Sequence, residues 1–265
     1  MPPFPLPLDK NCQVIDFHPY GIFAIEKACG IQTHPNAGDS SRKRNLIKAE
    51  FHPRTESYKW KDKEGKIREL FLIHRLDSPT SGVMLASSNQ KVADLLKNSF
   101  EHREVKKIYF ALVSYRTSKI QSHWKDFLRP QYLNGKKRMI SHPDGKIAIT
   151  QAFLDHKMQT KWGPIALLKL APVTGRTHQL RVQSAMRKMP ILGDRTYGNF
   201  ELNRKLSKSF NTERLYLHAQ KIQLSLRIPN GQTVDWEVTS TLPAEFTRLL
   251  EGKSGTTNQS LRRTR

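Results

Sequence analysis

The sequence predicts an α+β fold built on an extended, mixed and mostly antiparallel sheet that is flanked by helices and loops. Three observations support this prediction. Short β-type runs recur through the middle of the chain, helical periodicity appears only in short stretches between them, and connections rich in Pro, Gly, Asn and Asp separate the elements. With 265 residues, the chain is long enough for a large core in one big domain or two small ones.

Strands and helices follow in order from periodicity and from the turn residues that flank each run. The predicted strands are 13–17, 21–25, 71–73, 83–86, 105–113, 147–155, 165–171, 215–228 and 234–239. The predicted helices are 87–103, 177–188 and 243–251, with a short helix or an ordered loop at 199–214. Ser87 and Gln90 have capping-box spacing at the first helix, and Asn230-Gly231 predicts a hairpin turn between the last two strands.

Three segments differ from the rest in composition. Residues 1–11 form a Pro-rich lead-in, and residues 253–265, which lack apolar content, are expected to be a disordered basic tail. Residues 39–69 form a basic insertion in which Tyr58 and Trp60 alternate with charges, which predicts an exposed hairpin. Such a hairpin suits a nucleic-acid surface, and a solvated charged hairpin fits the same pattern.

The charge of the chain is its most unusual property. It carries 45 Lys and Arg against 23 Asp and Glu, a formal net charge of +22. So large an excess predicts a polyanionic partner, either nucleic acid or an anionic membrane surface. Apolar runs stay well short of the ~20 residues of a membrane span, and the Pro-rich start lacks the basic region of a signal peptide. Nucleic acid is therefore the favoured partner.

Cysteine content and motifs exclude several function classes. The two cysteines, Cys12 and Cys29, rule out a disulfide framework, argue against structural zinc and favour a reducing cytoplasm. His74, His178 and His218 lack the spacing of metal ligands. There is no P-loop, GxGxxG or GxSxG, so a nucleotide cofactor or a serine hydrolase has no support.

The stretch 71–87 organises the chain. Two apolar runs flank a polar loop that contains Asp77 and is rich in Pro, Gly, Ser and Thr, which predicts strand, tight loop, strand. Buried flanking strands would hold Asp77 on a rigid scaffold, where an enzyme would place a catalytic carboxylate. A capping role for Asp77 in its own turn explains the loop equally well.

A second cluster of polar residues follows the predicted strand 165–171. The run 174–181 supplies Arg176, His178, Gln179 and Arg181. An arginine beside a carboxylate forms charge-assisted and often bidentate bonds, whereas arginines of a chain this basic can also simply contact phosphates. Because the two arginines are five residues apart, they would not share a tight helix face, so one could turn inward while the other binds phosphate.

Several motifs in this order resemble one family. His74-Arg75-Leu76-Asp77 followed by Thr80-Ser81-Gly82 is similar to the HRLD-x-x-TSG signature of the RluA-type pseudouridine synthases. The resemblance runs from about residue 12 to residue 250, through the elements 27–35, 107–113, 174–181, 190–194, 197–198 and 214–219. It implies the pseudouridine synthase catalytic fold for residues 12–252.

The resemblance also implies an activity and a set of site residues. The reaction would cut the N1–C1′ bond of a uridine in RNA, rotate the uracil and rejoin it through C5. Asp77 would be the catalytic carboxylate, either as nucleophile or as proton acceptor. Tyr109 would lie against the flipped uracil, and Arg181, with Arg176 in reserve, would pair with Asp77. The expected substrate-binding residues are Arg75, Arg176, His74, Thr80, His178 and Gln179.

The expected partner is an rRNA or tRNA stem-loop, acted on by a cytoplasmic monomer without cofactor or metal. The alternative is a catalytically inactive RNA-binding or ribosome-assembly factor with the same fold. Loss of Asp77 or Tyr109 would be the sequence mark of that alternative, and both residues are present.

Overall fold

The computed structural model of the protein describes residues 2–35, 44–116, 120–133, 135–228 and 231–252. The strands in these residues are β1 Gln13–His18, β2 Ile22–Lys27, β3 Glu50–His52, β4 Ser57–Lys61, β5 Ile67–Leu72, β6 Ser81–Ser87, β7 Lys106–Ser114, β8 His123–Leu133, β9 Lys136–Ser141, β10 Lys146–Thr160, β11 Gly163–Pro172, β12 Leu217–Arg227 and β13 Thr233–Thr239. The helices are α1 Gln90–Glu101, α2 Gln179–Met186, α3 Phe200–Phe210 and α4 Ala244–Leu250.

These strands form one mixed sheet. Its main path has the order β3-β4-β5-β6-β12-β7-β11-β10-β8-β9, with β1 and β2 attached through β6 and β13 attached through β12. Of the strand pairings in the described residues, only that of β6 with β12 is parallel. The predicted α+β fold with a mixed and mostly antiparallel sheet is confirmed.

The parallel contact between β6 and β12 depends on Gly82. Its φ is +115°, and a Cβ atom at this position would lie 2.2 Å from the carbonyl oxygen of Ala219. Because that neighbour is backbone, a side chain here would force the two strands apart. The junction holds the start of β6, and with it the loop that precedes β6, against the middle of the sheet.

Apolar clusters on both faces of the sheet hold the helices in place. Leu206 of α3 and Phe246 of α4 belong to the largest cluster, together with residues of β7 and β11. Leu96 of α1 belongs to a second cluster, which also contains Leu85 of β6. Met84, the neighbour of Leu85, points into a third cluster, so β6 is buried on both faces. A strand fixed on both faces is a rigid anchor for the loop before it.

The segment expected to be a lead-in packs on this core. Phe4, Leu6 and Leu8 contact the third cluster. Asp9 is 4% exposed and forms an ion pair with Arg44.

Each predicted strand and helix has an observed counterpart, and the structure adds β3 and the hairpin of β8 and β9, which were not predicted. The hairpin predicted within 39–69 is that of β4 and β5, but the prediction that its aromatic residues are exposed is wrong. Tyr58 is fully buried in the third cluster, where its hydroxyl donates to the carbonyl of Thr33 at 2.8 Å, and Trp60 packs against the same cluster.

The capping box predicted at Ser87 is wrong. The N-cap of α1 is Asn89, whose side chain accepts a hydrogen bond from the Val92 amide at 3.3 Å, while Ser87 Oγ accepts one from the Asn89 amide at 3.1 Å. Residues 229–230 of the predicted hairpin turn and the predicted tail, 253–265, lie outside the described residues.

Candidate active site

Asp77 lies in the loop between β5 and β6, and its two neighbours are tied to the segment after β2. The carbonyl of Leu76 accepts a hydrogen bond from Thr33 Oγ1 at 3.0 Å. The carbonyl of Ser78 accepts one from the Gly30 amide at 2.8 Å. The Asp77 side chain itself is 25% exposed. The loop therefore presents a partly exposed carboxylate from a fixed backbone.

Lys27, at the end of β2, also holds this loop. Its fully buried ammonium donates hydrogen bonds to the carbonyls of Ala28, Ile31 and Ser78 at 3.0, 2.7 and 3.0 Å. Burial lowers the pKa of Lys27 to about 8. Three carbonyl acceptors match the three protons of an ammonium group, so the end of β2 is linked to the residue that follows Asp77.

Arg181 reaches Asp77 from α2. Its Nη1 donates to Asp77 Oδ2 at 3.1 Å, while Nε and Nη2 donate to the two carboxylate oxygens of Asp194 at 2.7 and 2.9 Å. Burial opposes the charge of Arg181, but its bonds to Asp194 and Asp77 outweigh burial and raise its pKa. The same bonds hold the pKa of Asp194 below its usual value despite burial. The guanidinium is thus a fixed cation beside Asp77.

Tyr109 lies in β7, opposite Leu170 of β11 and Ala219 of β12. Burial and, secondly, the charge of Asp77 raise the pKa of Tyr109 above its ordinary range. The phenol therefore stays protonated at neutral pH. It can donate a hydrogen bond or offer its ring to a flat apolar group.

His178 precedes α2 in the left-handed conformation, with φ of +53°. Its Nδ1 lies 2.9 Å from the hydroxyl of Tyr197, and its Nε2 lies 3.9 Å from Asp77 Oδ2. The next residue, Gln179, is buried and accepts hydrogen bonds from Thr174 Oγ1 at 2.7 Å and from the Arg176 amide at 3.0 Å. Gln179 thereby closes the turn that presents His178.

His74 is partly buried at the edge of the cleft, and its ring is held by contacts with β6 and α1. Its Nε2 accepts a hydrogen bond from the Leu85 amide at 3.1 Å, and its ring stacks on Phe100 at 4.7 Å. Burial lowers the pKa of His74 to about 3, so the ring is neutral at physiological pH. Its expected role in substrate binding stays a prediction.

The remaining predicted residues differ in exposure. Arg75 is exposed, and its Nη1 lies 2.8 Å from Nε2 of His34. Arg176 Nε donates to the carbonyl of Ile147 at 3.1 Å. Thr80 is only 2% exposed. Their contacts with substrate also stay predictions.

All the predicted site residues line two adjoining pockets. A cleft of about 790 Å³ is lined in part by His74, Arg75, Asp77, Tyr109, Arg176 and His178. A smaller pocket of about 110 Å³ shares Asp77 and Tyr109 with the cleft and adds Thr80, Gln179 and Arg181. The structure therefore brings the predicted site together.

Further charged residues of this cleft escaped the sequence analysis. The cations are Lys97, Arg103, Lys107 and Lys137, and the anions are Glu56 and Glu101. Lys97 pairs with Glu56 at 3.0 Å. Lys107 precedes Tyr109 by two residues and could have been found from its motif, whereas Lys137 belongs to the hairpin that was not predicted. With Arg75 and Arg176, the cations outnumber the acidic side chains, which suits a polyanion.

A comparison with family models identifies the chain. The model described as RNA pseudouridylate synthase matches residues 21–186, a span that includes Asp77, Tyr109 and Arg181. The chain belongs to the RNA pseudouridylate synthase family. The resemblance to RluA-type enzymes that the motifs indicated is confirmed.

Curated members of the family support the same assignment. Ribosomal large subunit pseudouridine synthase D of Borreliella burgdorferi is 31% identical over 207 residues, which are 77% of this chain and 59% of that protein. Ribosomal large subunit pseudouridine synthase C of Rickettsia prowazekii is 36% identical over 180 residues, 68% of this chain and 55% of that protein. tRNA pseudouridine synthase C of Yersinia pestis is 30% identical over 169 residues, 60% of this chain and 64% of that protein. The chain spans about half to two thirds of the length of these relatives.

Solved structures of pseudouridylate synthase domains share the fold. Human RNA pseudouridylate synthase domain containing 4 has a TM-score of 0.62 at 20% identity, covering 90% of this chain and 92% of that one. Human RNA pseudouridylate synthase domain containing 1 has a TM-score of 0.59 at 21% identity, covering 91% and 94%. At these identities the likeness establishes the fold alone.

The described residues were also searched for metal-binding groups and for helices that could span a membrane. They contain no group of three or more His, Cys, Asp and Glu side chains that could hold a metal ion. None of the helices found among them is long and apolar enough to cross a membrane.

Proposed function

We propose that the protein is an RNA pseudouridine synthase that isomerises specific uridines of structured rRNA or tRNA, with Asp77 as the catalytic carboxylate. The observation that carries the proposal is the 3.1 Å contact between Asp77 and the buried guanidinium of Arg181 in a cleft rich in cations. Tyr109 lines the same cleft.

The reaction is an internal rearrangement of the nucleotide. The N1–C1′ bond breaks, a C5–C1′ bond forms, and the proton on C5 is lost while N1 gains one. Atoms and electrons balance within the uridine, so the step consumes no redox partner. The enzyme has to expose the base, hold it while it turns, and handle the proton.

One oxygen of Asp77 is available for this chemistry. Arg181 occupies Oδ2, and within the described residues no hydrogen bond to Oδ1 is found. Oδ1 is therefore the atom that Asp77 offers to the nucleotide, as nucleophile or as proton acceptor. Arg181 fixes the direction in which Oδ1 points.

Tyr109 can contact the uracil while it rotates. Its ring offers a flat apolar surface for the uracil, and its protonated hydroxyl can donate to a uracil oxygen. The target uridine has to leave its stack to reach these groups, which takes a few kcal/mol. Contacts between the cations of the cleft and the phosphates on either side of the uridine would offset this unstacking.

Charge and relatives support RNA as the substrate. The net charge of +22 favours a polyanion. Relatives of this chain are named ribosomal large subunit and tRNA pseudouridine synthases, so rRNA and tRNA are the substrate classes to test.

The test is tritium release from RNA labelled at C5 of uridine. The wild-type protein should release tritium from ribosomal or transfer RNA, and Asp77→Asn should bind the same RNA without release. Asp144→Asn removes a carboxylate whose side chain is 78% exposed and which does not line the cleft, and it should release tritium like the wild type.

Two outcomes would contradict the proposal. Wild-type protein that binds these RNAs tightly but releases no tritium would instead be an RNA-binding factor with the same fold. Release by Asp77→Asn at more than a small fraction of the wild-type rate would remove Asp77 from the catalytic role.

A further inference from the structure

A buried hydroxyl connects the hairpin of β8 and β9 to the active site. Tyr197, which is 8% exposed, accepts a hydrogen bond from the amide of Met139 in β9 at 2.8 Å. The same hydroxyl lies 2.9 Å from Nδ1 of His178. Tyr197 therefore stands between a strand that borders the cleft and the imidazole next to Asp77.

The direction of the second hydrogen bond follows from the first. Because the hydroxyl oxygen of Tyr197 already accepts from the Met139 amide, its own proton is left to donate, and Nδ1 of His178 is the acceptor at hand. The reverse arrangement would leave a buried hydroxyl proton without a partner. It would also turn the Nε2 lone pair of His178 toward the carboxylate of Asp77, 3.9 Å away. Nδ1 therefore accepts, and Nε2 carries the proton.

The surroundings of His178 favour a neutral ring. Burial lowers the pKa of His178, and the cations Arg181 and Lys137 lower it further, against the opposing effect of Asp77 and Asp194. The backbone of His178 is fixed as well, since its carbonyl accepts from the amide of the fourth residue on, in the first turn of α2. A neutral ring with one accepting nitrogen is a directional donor.

We propose that Tyr197 is a positioning residue that fixes His178 as an Nε2–H donor toward the nucleotide bound at Asp77. The distance of 3.9 Å from Nε2 to Asp77 Oδ2 is too long for a direct hydrogen bond. The N–H is therefore free to donate to a ribose or uracil oxygen that occupies the space beside the carboxylate. This inference rests on the proposed function. It adds to the active site a hydrogen-bond donor, His178, whose proton is fixed on Nε2.

Through Tyr197, the orientation of the His178 ring also depends on the position of the hairpin of β8 and β9. Met139 lies two residues after Lys137, which lines the cleft. The guanidinium of Arg138, between them, lies 5.0 Å from the centre of the Tyr197 ring. The strand that borders the RNA cleft is thus the strand that orients the hydroxyl.

The experiment combines histidine tautomers with kinetics. Protein labelled with ¹⁵N in histidine reports which ring nitrogen carries the proton, and His178→Gln identifies the signal. Tyr197→Phe removes the hydroxyl and keeps the ring. Tyr216→Phe is the matched control, because Tyr216 is 2% exposed and its hydroxyl has no hydrogen-bond partner in the described part of the chain.

The wild-type signal of His178 should show a protonated Nε2 and a bare Nδ1. In Tyr197→Phe the two tautomers should mix, and kcat for pseudouridine formation should fall about tenfold with KM within about twofold, as expected for a lost buried hydrogen bond. Tyr216→Phe should change neither readout.

Three results would overturn the inference: a protonated Nδ1 in the wild type, an unchanged tautomer in Tyr197→Phe, or an unchanged kcat in Tyr197→Phe. The first needs no variant, so the inference is testable even if Tyr197→Phe does not fold. A wild type without activity but with the expected tautomer would contradict the proposed function instead.

Discussion

Asp194 holds Arg181 by two hydrogen bonds, from Nε at 2.7 Å and from Nη2 at 2.9 Å. Asp194 is itself held, because its Oδ1 accepts from the amides of Thr196 and Tyr197 at 2.8 and 3.0 Å. Only Nη1 of the guanidinium is left for Asp77. The position of the arginine is therefore set by a carboxylate behind it, and the arginine in turn sets the orientation of Asp77.

Replacing Asp194 by Asn should damage both stability and activity. Asp194 is 1% exposed, and Asn cannot accept both guanidinium bonds, so Arg181 would lose its partner in a buried site. We expect a loss of about 3 kcal/mol in the free energy of unfolding, measured by urea denaturation, and a fall of at least about tenfold in tritium release. Asp235→Asn, at an exposed position of β13, should change neither quantity. Full activity in Asp194→Asn would show that Arg181 can be positioned beside Asp77 without its two hydrogen bonds to Asp194.

Much of this site could be predicted from the sequence because its residues lie in short contiguous motifs. Asp77 lies between two apolar runs, and Arg181 lies in a polar run after a strand. Asp194 was not predicted as a site residue, because its partnership with Arg181 depends on how the chain folds back after α2. Tyr197 was missed for the same reason, since its contacts with Met139 and His178 join three separate elements.

Strands could be predicted where their burial follows a regular pattern along the sequence. Strands without such a pattern were missed. β6 is buried at every position, and its apolar run made it visible. β8 buries only Trp124 and Leu128 out of eleven residues, so its sequence lacks the alternation of a half-buried strand. At the start of α1, Ser87 and Asn89 are both good capping residues, and only the observed bond from Asn89 to the Val92 amide decides between them.

Two histidines with a lowered pKa, the partly buried His74 and the fully buried His218, should make stability fall in mild acid. Burial lowers the pKa of both His74 and His218 to about 3, from about 6.5 in an unfolded chain. As pH falls below about 6.5, the unfolded chain therefore binds protons that the folded protein does not, and the free energy of unfolding drops by up to about 1.4 kcal/mol per pH unit for each ring, down to about pH 3.

A variant of His218 tests this slope. Both ring nitrogens of His218 bond hydroxyls, of Ser81 and Ser240, so His218→Asn should lower stability at neutral pH. Between about pH 6 and pH 4, its stability should depend on pH less steeply than that of the wild type, by about 1.4 kcal/mol per unit. Gln131→Ala, at an exposed position of β8 without a titratable group, should keep the wild-type slope. Equal slopes in all three proteins would contradict the assignment.

Gly82→Ala should break the junction of β6 and β12. The new methyl group would meet the Ala219 carbonyl at 2.2 Å, and the backbone φ of +115° disfavours any side chain. We expect a loss of more than about 3 kcal/mol in the free energy of unfolding by urea denaturation. Gly65→Ala is the control, because its φ is +78° but nothing lies within 4 Å of the added atom, so it should lose only about 1 kcal/mol. Similar losses in both variants would mean that the close strand approach is unimportant.

The cations of the cleft should act on RNA binding and not on the chemical step. Lys137 is exposed and lines the cleft. No ion pair of its side chain is found in the described residues. Lys137→Ala should weaken RNA binding and reduce the slope of log K against log salt by about 0.7 to 0.9 for each lost phosphate contact. The rate of tritium release at saturating RNA should stay within about twofold of the wild type.

Lys66→Ala is the matched comparison, because Lys66 is exposed in the turn between β4 and β5 and does not line the cleft. If RNA contacts only the cleft, Lys66→Ala should bind RNA with the wild-type affinity and the wild-type salt slope. A reduced salt slope in Lys66→Ala would instead extend the RNA surface to the basic segment 39–69, because a lost phosphate contact changes that slope whereas a small distortion of the fold does not. An unchanged slope in Lys137→Ala would remove that lysine from the RNA interface.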